Sequence, residues 1–552
     1  MNLKRGGLIL LATTLLGGAV RSQALITTVT APMGASGTSD FPSSVVALGD
    51  ADGDGIRDYA AADRNFNGLD VGRVYLISGA THQIFDAVDP ASTATAPLGF
   101  GVIIGSAGDV DGDGRDDVLI TGYYDVTVHQ AGSPSPLAMV SGQYPRAWRA
   151  GDYDGNGLAE IASRVDTLIP CTPPWASNYL ETFQIAEPYP TPAAPALSIS
   201  FISPCQSSFA PVVHEIYPTG DVTGDGLEDF LVSWQATGPT HSVTLLSPTP
   251  QPSGNPPFAP TSGYSLSFTG PPLLEVIGDC DGDGRADFAT LAVNPPNATL
   301  LIRSGATALL LAQHVFGPAD PFAASGTPRL AAVGDIDRDG ANDVAVTRLD
   351  LQGNSVGVFS GRSGGRIMTI MAPTGVNFSR QAARAGDADG DGIDDLAVQG
   401  GSGSGNALYV YSLVPNGTTY TGNGCPMANG VAPTIGVRGQ PVVGSTMTIL
   451  ASGLDANMTP TLILGLSDQV FGLLSLPFDL APIGAPGCLL RTSADFLDGA
   501  VVQTFGQLAF AERSYVIPPL PPGLSVHAQW LVEAPPTQLP RFGISGAASI
   551  SF

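Results

Sequence analysis

Seven stretches of the chain repeat Asp-x-Asp-x-Asp-Gly-x-x-Asp, which sets side-chain oxygens at positions 1, 3, 5 and 9 around a glycine turn. With a main-chain carbonyl at position 7, the donors are all hard oxygens, the set that Ca²⁺ prefers. The first copy offers Asp50, Asp52, Asp54, Asp58 and the carbonyl of Ile56; the second offers Asp109, Asp111, Asp113, Asp117 and Arg115. The fifth brings Asp279, Asp281, Asp283, Asp287 and Arg285, the sixth Asp335, Asp337, Asp339, Asp343 and Ala341, and the seventh Asp387, Asp389, Asp391, Asp395 and Ile393. Two copies are each one carboxylate short. The third has Asp152, Asp154, Asn156, Leu158 and Glu160, and the fourth Asp221, Thr223, Asp225, Leu227 and Asp229. Up to seven Ca²⁺ ions are therefore expected, with the third and fourth loops binding more weakly.

Other chemistries fit the spacing less well. Zinc or copper would need thiolate or imidazole donors, which the repeat lacks. An EF-hand ends on Glu at position 12 between helices, whereas here position 12 is Ala61, Ile120, Ser163, Val232, Thr290, Val346 or Val398. Bare Asx and glycine turns need no ion, but several unneutralised carboxylates within nine residues repel one another. The ligand carboxylates make up 26 of the 49 acids, so seven bound dications would take the formal charge from −26 to −12. The acidity argues against nucleic acid or an anionic membrane surface as a partner, since both require basic patches.

The loops must be held by strands. Position 10 is always apolar (Tyr59, Val118, Ile161, Phe230, Phe288, Val344, Leu396), and a Gly precedes every copy. Between loops run alternating segments ending in Ser-Gly, such as VGRVYLISG (71 to 79) and VGVFSG (356 to 361). A further apolar strand and a short one into the next Gly-Asp follow, giving four strands per repeat, the content of one propeller blade. ITTVTAP (26 to 32) is similar to IMTIMAP (367 to 373), and only LAVQ and ALYVYSLV follow the last loop. The N-terminal strand is thus expected to complete the final blade and remove an open sheet edge. The predicted fold is all-β: a seven-bladed β-propeller with calcium loops over residues 25–414, a linker at 415–424 and a small β-sandwich over 425–552.

These loops and Ser-Gly strands resemble the FG-GAP repeats of the integrin α-subunit propeller and the related repeats of exported bacterial proteins. The resemblance covers residues 25 to about 414, with Phe100-Gly101 retaining the name-giving pair. It implies that each loop joins the first and second strands of a blade and binds Ca²⁺. Loops in all seven repeats depart from the integrin pattern and look more like the bacterial group. NGCP (423 to 426), PIGAPGC (482 to 488) and HAQWLV (527 to 532) resemble a C-terminal module of exported bacterial proteins.

Lys4 and Arg5, the apolar run Leu8 to Leu16 and Ser22-Gln23-Ala24 read as a signal peptide over residues 1–24, too short to span a membrane. A secreted or cell-surface location follows, with no membrane insertion after cleavage. Export permits disulfides, and Cys425 is expected to pair with Cys488 and Cys171 with Cys205, leaving Cys280 buried. Gly361-Arg362-Ser363-Gly364-Gly365 matches G-x-S-x-G formally, but a strand-to-strand turn lacks the helix that a nucleophile elbow needs. The six histidines (82, 129, 214, 241, 314, 527) form no metal-binding motif. The expected function is adhesion or binding of an extracellular protein or glycan without catalysis. The alternatives are a polysaccharide-active hydrolase or lyase at the channel mouth, or a purely structural surface protein.

Because the carboxylates converge only in the folded chain, each site stabilises it by about 1.4 kcal/mol at free calcium roughly ten times its dissociation constant. Chelation is expected to lower the melting temperature. An unchanged melting curve in excess chelator, with no metal found on the protein, would count against calcium.

Overall fold

The computed structural model describes residues 23–552 except 31, 33–38, 67–70, 91–97, 134, 142–145, 153–155, 171–176, 187–196, 203–211, 236–239, 251–257, 269, 271, 295–296, 318–327, 348–353, 403–404 and 428. The expected signal segment up to Ser22, Asp154 and the expected pair of Cys171 with Cys205 lie outside the described residues. Regular structure is almost wholly β-strand, with one 3-10 turn at Ala481–Ile483 among the described residues.

Each acidic loop joins the first two strands of a four-stranded antiparallel sheet. The first sheet runs Ser44–Ala47, Tyr59–Asp63, Arg73–Ile77 and Ile84–Val88, and the sixth Leu330–Gly334, Asp343–Thr347, Ser355–Phe359 and Arg366–Met371. Seven such sheets are present among the described residues. Their first strands neighbour one another in sequence order, and Asn377–Arg384 of the last lies against Ser44–Ala47 of the first, so the ring closes. The fold is a β-propeller.

Second strands such as Tyr59–Asp63, Asp117–Thr121 and Asp343–Thr347 are buried at every residue. A one-sided sheet would alternate instead. The continuous burial arises because neighbouring sheets cover both faces: Leu48, Ala60 and Leu76 of the first sheet share a core with Ile104, Val118 and Ile120 of the second. Sheet-to-sheet cores recur around the ring, as between Ile302 and Val344.

Closure uses the start of the chain. Leu25–Val29 pairs antiparallel with Gly405–Tyr411, in the register Thr28 to Tyr409 and Val29 to Leu408. Val29 joins Phe41, Val45 and Leu408 in the core between the last and first sheets.

After the ring, one sheet of Thr418–Thr421, Phe542–Ser551, Ser525–Glu533, Thr459–Gly465 and Phe496–Gly499 faces another of Gly436–Arg438, Thr446–Ala451, Leu508–Val516 and Gln503–Phe505. Trp530, Leu462, Val437 and Ile449 fill the space between them, making a β-sandwich. Cys425 is bridged to Cys488 across 63 residues. The expected linker is shorter than its composition implied: Thr418–Thr421 already pairs with the last strand of the sandwich. Asn and Gly suit a turn, but the TTYT run that follows supplies β-branched and aromatic residues that favour a strand.

Deleting residues 25–32 exposes the Gly405–Tyr411 edge and is expected to reduce thermal stability and promote association even in saturating calcium. A truncated chain as monomeric and stable as the parent by light scattering and calorimetry would mean that this strand is not the clasp.

Candidate metal-binding loops

The loops build themselves from local hydrogen bonds. In the first, Asp50 Oδ1 accepts from the N–H groups of Gly53 (2.6 Å) and Asp54 (3.1 Å), and its Oδ2 from Gly55 (2.8 Å). Asp54 Oδ1 accepts from Ile56 N–H at 2.8 Å. Gly53 and Gly55 sit at φ 85° and 88°, the left-handed region that glycine enters without strain. The fourth loop keeps the same turn although Thr223 replaces an acid, with Asp221 accepting from Gly226 N–H at 2.8 Å. The turn therefore belongs to positions 1 and 6.

Position 9 anchors the loop to its blade. Asp58 is wholly buried; its Oδ2 accepts from Ala51 N–H (2.8 Å) and its Oδ1 from Gly79 N–H (2.8 Å). Gly79 is the glycine of the Ser-Gly strand end. Asp287 with Gly305 (2.9 Å) and Asp343 with Gly361 (3.0 Å) repeat the tie. A Cβ on Gly79 would stand 1.8 Å from the Arg57 carbonyl, so only glycine fits. Sequence reading found the Ser-Gly signature but not this purpose. Adjacent loops are also joined, Asp116 N–H donating to the Asp50 carbonyl (2.9 Å) and Ala159 N–H to that of Asp109 (2.8 Å). Asn342 N–H joins the sixth loop to the Asp279 carbonyl of the fifth in the same way, at 3.0 Å, so neighbouring loops make a rim.

Carboxylate oxygens converge within 4.8 Å in five groups: Asp50, Asp52, Asp58; Asp109, Asp111, Asp117; Asp279, Asp281, Asp287; Asp335, Asp337, Asp339; and Asp387, Asp389, Asp391. These clusters could hold metal ions, and they fall in the five loops with a complete carboxylate set. Among the described residues, no such cluster includes Asp152, Asn156, Glu160, Asp221, Thr223, Asp225 or Asp229. Asp117 Oδ1 and Asp337 Oδ1 are buried without a hydrogen-bond partner, an arrangement that a cation would relieve.

Burial is the chief cause of raised carboxyl pKa values here: Asp58 goes to about 6, Asp117 to about 8 and Asp287 to about 7, with nearby loop carboxylates pushing the same way. Desolvation penalises the charged form, and like charges add to it.

The remaining sequence candidates fall into place. Cys280 is buried, its thiol donating to the Asn342 carbonyl at 3.2 Å, and burial pushes its pKa up. Ser363 lies in the turn between Ser355–Phe359 and Arg366–Met371, with no helix after it. Two groups escaped sequence reading. His82 Nε2 lies 3.3 Å from Asp395 of the last sheet, a contact between chain ends that no local pattern signals. At the ring axis, a cavity of about 760 Å³ is lined by Arg57, Glu215, Tyr217, Glu275, Arg329 and Arg384, among others.

The fold and the rim define a β-propeller with clusters of carboxylates able to hold metal ions. No protein-family model and no curated protein matches the chain. Among solved structures it is similar to the Dos1 propeller, at 8% identity and a TM-score of 0.32, over 68% of this chain and 86% of that one. The WD40 domain of SCAP from fission yeast matches at 10% identity and a TM-score of 0.30, over 90% and 89% of the two chains. The V. cholerae biofilm matrix protein Bap1 matches at 13% identity and a TM-score of 0.27, over 81% and 66%. These likenesses carry no reading of function.

Without an ion, raised carboxyl values mean that the folded chain binds more protons than the unfolded one between the ordinary 3.8 and about 8. Its stability then falls as pH rises through that window. Melting in chelator is expected to drop from pH 5 to pH 8, and calcium, which favours the ionised form, to flatten the profile. A melting temperature that rises with pH in chelator would contradict this sign.

Proposed function

We propose that the protein is an exported, non-catalytic binding propeller of the FG-GAP kind, whose acidic loops hold Ca²⁺ and which presents its surface to an extracellular protein or glycan. The observation that carries the reading is the convergence of three carboxylates within 4.8 Å in each complete loop. All donors are hard oxygens, and each cluster comes from one loop, which an ion would hold in its turn. The first, second, fifth and seventh loops are the most open of these to solvent. The Cys425–Cys488 bridge supports an oxidising compartment.

Support for a binding surface comes from the sandwich. Leu466, Val470, Phe471, Leu473 and Leu474 are exposed, and Leu473 is wholly so. Apolar groups concentrated in this way favour contact with another molecule. The net charge of −26 disfavours nucleic acid and anionic membranes.

A catalytic reading has one specific support. Glu275, in the axial cavity near Glu215 and Arg329, has its carboxyl pushed up to about 7 by burial, which suits a general acid. Probing glycan and protein arrays with the calcium-loaded chain is expected to yield capture without turnover. Polysaccharide cleavage abolished by Glu275→Gln would replace the binding reading with the catalytic one.

A further inference from the structure

The sandwich meets the fifth loop through main chain, Gln507 and Leu508 N–H donating to the Asp281 carbonyl, but in the sixth loop it covers the carboxylates themselves. Asp337 and Asp339, at positions 3 and 5, are fully buried, whereas Asp54 and Asp113 of the first two loops are exposed. Arg438 of the sandwich covers them. Its Nε donates to Asp337 Oδ2 at 2.6 Å and its Nη2 to Asp339 Oδ2 at 2.9 Å. Arg362 adds a second guanidinium: Nε donates to Asp339 Oδ2 (2.7 Å) and Nη2 to Glu512 Oε2 (3.3 Å), with the group 3.6 Å from the centre of the Phe510 ring. A propeller arginine thus reaches the sandwich, and a sandwich arginine reaches the propeller.

The backbone has been shaped for the same contact. Position 4 of this loop is Arg338 at φ 56°, where the first, second, fourth, fifth and seventh loops have glycine. Holding a side chain there costs conformational energy. What the side chain gains is visible: Nη2 donates to the Asp391 carbonyl at 2.6 Å and the guanidinium lies 3.9 Å from the centre of the Tyr420 ring. Gly436 passes so close to the Asp337 carbonyl that a Cβ would stand 1.7 Å from it.

The two guanidinium groups leave one face of the cluster free. They bind Oδ2 of both acids, while Asp337 Oδ1 is buried with no hydrogen-bond partner and its residue lies in a 4.8 Å carboxylate group with Asp335 and Asp339. Four loop carboxylates, Asp335, Asp337, Asp339 and Asp343, and Glu512 stand against the two arginines paired with them, Arg362 and Arg438, so a formal excess of negative charge remains. We infer that the sixth loop is an ion-dependent clamp: Ca²⁺ takes the inner oxygens of the cluster and the arginines take the outer ones, so that the ion of this loop couples the C-terminal sandwich to the propeller. The inference rests on the calcium reading above. Removing the ion leaves buried carboxylate oxygens, Asp337 Oδ1 among them, that the arginines do not match, and the loop opens at the sandwich interface. By linkage, docking of the sandwich in turn tightens ion binding at this loop.

Native mass spectrometry of the full chain, counting bound calcium, paired with amide exchange of the Gln507 and Leu508 segment tests this. The N–H of Gln507 donates at 2.6 Å to the carbonyl of Asp281 in the neighbouring fifth loop, so chelation reports on both loops and Asp337→Asn isolates the sixth. Chelation is expected to speed exchange there by roughly tenfold or more. Asp52→Asn, in the distant first loop, should lose one ion and leave that exchange unchanged. Asp337→Asn should lose one ion and open the interface in saturating calcium. Arg438→Gln should open the interface without gaining an ion, and it carries the test if Asp337→Asn does not fold. A parent that sheds its calcium while Gln507 stays protected overturns the clamp and leaves the calcium reading intact. An Arg438→Gln chain that gains an ion also overturns it, because the guanidinium would then have stood in the ion's place. A parent that binds no calcium at all removes the calcium reading and the clamp together.

Discussion

The buried carboxylate at position 9 is the interaction on which the architecture turns. Asp58 accepts from the N–H of Ala51 in its own loop and of Gly79 at the end of the third strand, so one side chain fixes the loop and the strand end together. Such a group is costly to bury unless its oxygens are matched. Matching it requires glycine at the Ser-Gly end, because the Arg57 carbonyl occupies the space of a Cβ. In the first, fifth and sixth blades the acid, the glycine and the apolar residue after the acid are therefore one structural unit, whereas Asp117, Asp229 and Asp395 bury Oδ1 without such a partner.

Once the loops are fixed in this way, their remaining carboxylates have little freedom to separate. Asp50, Asp52 and Asp58 stay within 4.8 Å of one another, and the N–H of Asp116 ties the next loop to Asp50 at 2.9 Å. The rim stores repulsion that hydrophobic packing between sheets must oppose. Arginines offset part of it at chosen places: Arg57 donates to the Leu48 carbonyl at 3.0 Å, and Arg285 to the Val222 carbonyl of the preceding loop at 2.8 Å. These bonds go to main-chain oxygens, which leaves the ligand carboxylates to a cation. The sixth loop, where guanidinium groups bind the carboxylates directly, is the departure.

The ring and the sandwich solve the edge problem in different ways. Leu25–Val29 supplies the last sheet with its outer strand, at a cost in loop closure that grows slowly with the intervening length. In the sandwich, Thr418–Thr421 adds to the sheet at once after the ring, so the two bodies are joined by only a few residues and lie within reach of the side chains that connect them. Tyr420 takes part in both, half-buried against the propeller and sandwich cores with Arg338 over its ring.

Much of this was legible in the residues themselves. Asp, Asn and Gly at fixed spacing dictate a local turn, and the apolar position 10 with Ser-Gly strand ends dictates strands, because these signals act over a few residues. The similarity of ITTVTAP to IMTIMAP was enough to assign the closing strand, since equivalent strands face equivalent neighbours. Only the tertiary structure decided how the acids differ. Asp54 and Asp339 occupy the same position of the same motif, yet one is exposed and the other is buried beneath Arg438. Arg362 stood inside a false nucleophile motif and Arg438 in an unremarked strand, and nothing local links them to loops 101 or fewer residues away. Contacts of that kind depend on how the surfaces of the propeller and the sandwich meet, and a linear pattern carries no record of it.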